Sequence, residues 1–130
     1  MEQEKLDEVL DNHKLWLKTN GEQGERADLR YADLRYANLR DANLSDANLS
    51  YANLDYSCFP LWCGGLDVHI DDRQATQLLY HLIRNVQYSK NTSEAMKKIC
   101  KIKSLINQAN KFHRADECGK LGADNERKAD

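Results

Sequence analysis

Residues 27–56 read ADLRY ADLRY ANLRD ANLSD ANLSY ANLDY, six consecutive five-residue blocks with Ala, then Asp or Asn, then Leu, then two looser polar positions. A period of five fits neither the 3.6 residues of an α-helix nor the two of a flat strand. Repetition at a fixed period decides architecture ahead of local propensity, because each block can bury its apolar residue only against neighbouring blocks. Leu29, Leu34, Leu39, Leu44, Leu49 and Leu54 are therefore read as pointing inward, with a small Ala two residues before each where the interior crowds. A degraded seventh block follows, Ser57-Cys58-Phe59-Pro60-Leu61. The next would need Trp62 in the small position and Gly64 at the centre, so the repetition is expected to stop there. Pro60, the only proline, also has no N–H to give to a further ladder bond.

The small–Asp/Asn–Leu–x–x register, together with the approach HKLWLKTNGEQGERADL over residues 13–29, resembles the pentapeptide-repeat family. The resemblance implies a right-handed quadrilateral β-helix over residues 25–61, with four blocks to a square coil. Seven blocks then make a stub of under two coils, about 10 Å tall at ordinary strand spacing. Residues twenty apart should stack: Leu29 over Leu49, Leu34 over Leu54 and Leu39 over Phe59, with Tyr31 on Tyr51 and Tyr36 on Tyr56 outside, and Arg35 beside Asp55. So short a stack needs capping elements to complete its core and cover its open ends.

The flanks supply them. Leu6, Leu10, His13 and Leu17 form the apolar stripe of a capping helix over 3–18, in which His13 is read as a packing residue; Asn20-Gly21 ends it and Gly24 gives a flexible link. Residues 62–71 read as a connector whose alternating Leu66, Val68 and Ile70 turn His69 to solvent. Two helices follow, 72–88 with Ala75, Leu79, Leu82 and Val86, and 92–113 with Ala95, Ile99, Ile102, Ile106, Ala109 and His113. A short loop between them makes a helical hairpin over 72–113, placed on the end of the coil, and residues 114–130 read as a polar tail. The whole is expected to be one domain.

Nineteen Lys and Arg against twenty-one Asp and Glu give a net charge of −2, which offers no general attraction to nucleic acid or anionic membrane. No apolar run approaches a membrane span, and the acidic start at Met1-Glu2-Gln3-Glu4 lacks a secretory signal, so a cytoplasmic protein with reduced thiols is expected. No phosphate loop, paired-carboxylate motif or Ser-His-Asp pattern is present, and the chain is not expected to be an enzyme or to need a cofactor. Cys58, Cys63, His113 and Cys118 flank the ends of the repeats and of the last helix, and form the alternative: a small metal-binding or redox protein, with zinc the natural ion for Cys₃His. Their spacing is wider than that of zinc knuckles.

Protein contact is the leading function. Arg30, Tyr31, Arg35, Tyr36, Tyr51, Tyr56 and Trp62 are the contact candidates, since Tyr, Trp and Arg are the residues that carry interface energy. Arg-Tyr pairs also suit nucleic acid, but successive blocks turn a corner and interspersed Asp dilutes the charge, so direct nucleic-acid binding is not expected. The resemblance brings a further role, that of longer family members that mimic DNA and bind type II topoisomerases. It needs a long acidic rod, and this stub carries Arg as freely as Asp. Residues 55–85 also resemble short pentapeptide proteins of Firmicutes and their phages, which implies an accessory factor of a phage or mobile element acting on a host protein. The amphipathic C-terminal helices offer a surface for a homodimer.

Overall fold

An Asp or Asn precedes every inward Leu because its side chain closes a turn. In a computed structural model, which describes residues 1–122, each of the six Asx residues accepts the backbone N–H two positions on. Asp28 takes that of Arg30 at 3.2 Å, Asn38 that of Arg40 at 3.1 Å, and Asn48 that of Ser50 at 3.0 Å; Asp33, Asn43 and Asn53 do the same. The N–H of the next small residue then returns to the Leu carbonyl, as Ala32 to Leu29 at 3.1 Å and Ala52 to Leu49 at 2.9 Å. At all but one of the six corners the residue before that small one lies in the left-handed region: Tyr31, Tyr36, Asp46, Tyr51 and Tyr56 have φ between 61° and 67°, and Asp41 is the exception. A four-residue turn with only its third residue at positive φ is a type II turn, and Asx bonds to the backbone two residues on are the natural device for starting one. Asn48→Ala is accordingly expected to cost about 1 kcal/mol by stranding the half-buried Ser50 N–H, while Asn48→Asp stays near wild type; urea titration of both variants measures this.

Successive levels are joined by parallel pairs, Asp28 with Asn48, Asp33 with Asn53, Asn38 with Cys58, and Asn48 with His69. Leu29 N–H donates to Asn48 O at 2.8 Å, and Asn48 N–H to Ala27 O at 3.0 Å. The expected quadrilateral β-helix is corrected on this point. Among the described residues there is no β-strand, only these isolated bridges, and all regular secondary structure is helical. A turn every five residues leaves each side room for a single bridge, below the three residues at which strands begin.

Nor does the stacking stop at Pro60. Leu44 N–H reaches Gly64 O at 2.7 Å and Leu49 N–H reaches His69 O at 2.9 Å, so the first side acquires a third level and the stack exceeds the stub of under two coils that was expected. The donor-to-acceptor offset is nineteen residues at Leu39 (to Cys58) and twenty at Leu44 (to Gly64); the extra residue is taken up beside a short 3-10 turn, Cys63–Gly65.

Inside, Leu29, Leu34, Leu39, Leu44 and Leu49 are wholly buried, together with Leu6 of α1 (Gln3–Lys18). Val9 and Leu10 pack beside Leu6. His13 is buried on the same stripe and joins α1 to the coil: Ala27 N–H donates to its Nδ1 at 3.0 Å and its Nε2 lies 2.8 Å from Ser45 O. Gly24 is not a flexible link. With φ at 71°, it lets the chain pass so close to α1 that a Cβ there would lie 2.3 Å from Asn12 O.

The chain divides into two units, Met1–Asp71 and Asp72 onward, each with its own core. The second holds α2 (Asp72–Tyr88), α3 (Glu94–Ile99), α4 (Lys103–Ala109) and α5 (Ala115–Cys118). The expected two-helix hairpin over 72–113 is thus corrected to three helices, and a fourth, α5, stands where the polar tail was expected. A continuous helix over 92–113 would bury Ile99 and Ile102; the break around Cys100–Ile102 leaves both exposed and buries Cys100, while Ile106 and Ala109 of the expected stripe stay inside with Phe112. Gln87 Nε2 caps the break at Cys100 O, 3.2 Å away. On α2 the buried face is Thr76, Tyr80, Ile83 and Val86, so Ala75 and Leu82 face outward. The Tyr80 ring offers more area to the core than the leucine it displaces. The expected tail begins inside this unit: Leu121 is buried, and the remainder of the tail, 123–130, lies outside the described residues.

Candidate functional site

Two tyrosine ladders mark the N-terminal unit. The rings of Tyr31 and Tyr51 lie 5.1 Å apart at 10°, and those of Tyr36 and Tyr56 5.0 Å apart at 5°. Tyr31 and Tyr36 stand at successive corners, so the ladders flank one side of the coil, Ala32–Leu34 over Ala52–Leu54. All four rings are open to solvent, Tyr31 and Tyr36 at 75%, Tyr51 at 63% and Tyr56 at 58%. The left-handed backbone beneath each ring costs about 1 kcal/mol or more for a residue with a Cβ. Asp46 fills the equivalent corner elsewhere in the coil, so the turn itself has no need of a tyrosine.

Two arginines next to the ladder residues in sequence are each forked onto an aspartate. Arg30 Nε and Nη2 reach the Asp28 carboxylate at 2.9 and 2.8 Å, and Arg35 reaches Asp33 at 2.8 and 2.7 Å. The expected placement of Arg35 against Asp55 is corrected: its fork is taken by Asp33, two residues earlier on its own level, and Asp55 adds only a weaker electrostatic pull. The bonds from Arg30 hold the Asp28 carboxyl at about 2, and the bonds from Arg35 hold Asp33 well below the usual carboxylate range. Both forks remain charged and preset in orientation across the physiological range.

Trp62 stands apart from the ladders, half-exposed where two grooves of the same unit meet. One, of about 610 Å³, runs beside α1 and is lined by Asp7, Asp11, Lys14, Asp41 and Trp62 among others; the second, of about 580 Å³, is lined by Arg40, Asp41, Phe59, Leu61 and Trp62. Leu61, which the sequence reading assigned only to the seventh block, is 96% exposed. The signal was Pro60: its ring is buried, and the residues after it are turned outward.

The Cys and His candidates are divided between the units. Cys58 and Cys63 are exposed in the first; His113 and Cys118 are exposed in the second, where His113 stacks edge-on against Phe112. No group of three His, Cys, Asp or Glu among the described residues is placed to hold a metal ion. Cys100 is buried, and burial pushes its thiol upward, opposite to the activation a nucleophile needs. No helix among the described residues is long and apolar enough to cross a membrane.

A family model described as pentapeptide repeats matches residues 25–60 in eight copies. No curated protein and no solved structure matches the chain.

Proposed function

Because residues 25–60 are pentapeptide repeats, we propose that the chain is a non-enzymatic, cytoplasmic protein-interaction module whose contact surface is the side of the coil between the two tyrosine ladders. One observation carries this reading. Four tyrosines hold a strained backbone conformation with their rings in water, where Asp or Asn would turn the chain at lower cost. Paired rings lose little freedom on binding and bury a large apolar area, and the preset Arg30 and Arg35 add directional charge. The resemblance of residues 55–85 extends the proposal to a phage or mobile-element factor acting on a host protein. Exposed Leu78 and Leu82 on α2 support pairing of two copies as part of the same proposal.

The test is the double variant Tyr36→Asn/Tyr56→Asn, which removes one ladder yet keeps turn residues that tolerate positive φ. Immobilised wild-type chain and variant are compared for retention of bacterial proteins, with circular dichroism as the control for folding. A specific partner is expected to lose affinity by about 30-fold, the measure of a 2 kcal/mol hot spot. Identical bound proteins at equal affinity would remove the ladders from the reading.

A further inference from the structure

In the C-terminal unit, Gly119, Lys120, Leu121 and Gly122 have no regular structure and are held by side chains of the helices around them. Tyr80 Oη donates to Gly119 O at 2.5 Å, and Arg84 Nη1 donates to Cys118 O at 2.8 Å and to Tyr80 Oη at 2.8 Å. Asn110 grips Leu121 on both sides of its backbone: Nδ2 donates to Leu121 O at 2.7 Å, and Leu121 N–H donates to Oδ1 at 2.6 Å. Gln87 Nε2 reaches Gly122 O at 3.3 Å. Only one side chain of the segment is taken inside, Leu121, which is 4% exposed in the core with Tyr80, Ile83 and Phe112. Lys120 is exposed and lies 3.7 Å from Asp116 on α5.

We propose that this cleft is a peptide-binding site, occupied in cis by the chain's own segment and able to take a Gly-x-Leu-Gly segment of a partner protein in trans. Four fixed side chains satisfy backbone groups, which any peptide possesses, and one apolar pocket selects a leucine. That division, main chain for affinity and a pocket for specificity, is how proteins read unstructured peptides. A glycine two residues before the leucine follows from Gly119, whose φ of 102° is open to few other residues. The cis segment hangs from α5, a helix of one turn, which contributes little hold of its own. Gln87 Oε1, buried and without a partner among the described residues, lies on the residue that binds Gly122 and gives the cleft an acceptor still to be used.

The experiment uses the full chain. A fluorescein-labelled peptide with the sequence of residues 117–124 is titrated against wild type, Leu121→Ser and Leu121→Ser/Asn110→Ala, and followed by anisotropy. A tethered segment competes at a local concentration on the order of millimolar, so removing its anchor is expected to tighten binding of the free peptide at least about tenfold. Loss of Asn110 then weakens it by about tenfold, and a peptide with Ser in place of its leucine does not bind. On wild-type chain, hydrogen exchange at the Leu121 amide is expected to run about a hundredfold faster than at Ile83 and Val86, as a segment that opens locally requires. A Leu121→Ser chain that keeps its helical dichroism and binds no peptide overturns the proposal. So does one that loses its helical dichroism, or a Leu121 amide as protected as those of α2, since either makes the segment part of the folding core.

Discussion

Leu49→Ala is expected to lower the stability of the N-terminal unit by about 3–4 kcal/mol, the middle of the range that a buried Leu-to-Ala change removes. Leu49 is wholly buried at the one place where the coil has three levels. Asn48 beside it pairs with Asp28 on one level and His69 on the other, and Leu49 N–H itself donates to His69 O. The levels on both sides are therefore fixed by backbone bonds that the mutation leaves intact, and they cannot close on the vacated space. Leu54→Ala is the comparison: half-buried, on a side with fewer levels, it should cost about half as much. Trp16 and Trp62 are the only tryptophans and both belong to residues 1–71, so their fluorescence in a urea titration reports this unit alone. A loss under about 1 kcal/mol at Leu49 would mean that the levels slide together, and that the backbone bonds are not the rigid frame described.

How much of this was legible depends on the range of the forces involved. The five-residue period names its own buried positions, and Leu29, Leu34, Leu39, Leu44 and Leu49 all lie inside. The Tyr31–Tyr51 and Tyr36–Tyr56 stacks follow from the same spacing. Secondary structure did not follow. Whether a side of the coil is a strand depends on how many residues fit between turns, and the Asx bonds and left-handed corners leave one bridge where a strand needs more. The third level was hidden for another reason: Gly64 enters the stack through its carbonyl and His69 through its carbonyl and N–H, and backbone groups have no side chain to announce them. In the second unit, Ala75-Leu79-Leu82 and Thr76-Tyr80-Ile83 are both plausible inward stripes of α2, and only packing decides between them. The break at Cys100–Ile102 carries no Pro or Gly, and depends on Gln87, thirteen residues away, reaching the Cys100 carbonyl. Arg35 shows the same limit at short range: spacing placed it beside Asp55, but a carboxylate two residues earlier matches its fork more directly.

His13→Phe is expected to cost the N-terminal unit about 2–5 kcal/mol at pH 8 and to remove most of its pH dependence between pH 8 and pH 5. Phenylalanine keeps the ring volume and the stack on Trp16, at 5.8 Å and 13° in the wild type, but leaves the buried Ala27 N–H and the part-buried Ser45 O without their histidine partner. Each such group costs about 1–3 kcal/mol. The protonation state follows from the bonds. Nδ1 accepts from Ala27 N–H and so carries no proton, and Nε2 carries the one it donates to Ser45 O. Adding a second proton would put a charge in the core and abolish the bond from Ala27. Burial accordingly lowers the His13 pKa; the Ser45 carbonyl and Asp46 oppose it in part, and Arg26 reinforces it. A histidine whose folded pKa lies below 6.5 stabilises fully above that value, where both states are neutral. As pH falls below 6.5 the unfolded chain takes the proton first, so stability declines by about 1.4 kcal/mol per pH unit until the folded pKa is reached. The wild type should thus be measurably less stable at pH 5 than at pH 8, and His13→Phe should be flat between them. His69, His81 and His113 are exposed, and Asp28 and Asp33 titrate well below this window, so the difference between the two proteins isolates His13. Equal slopes for both would mean that the ring titrates alike in the folded and unfolded chains, and that burial and the bond from Ala27 do not hold it neutral.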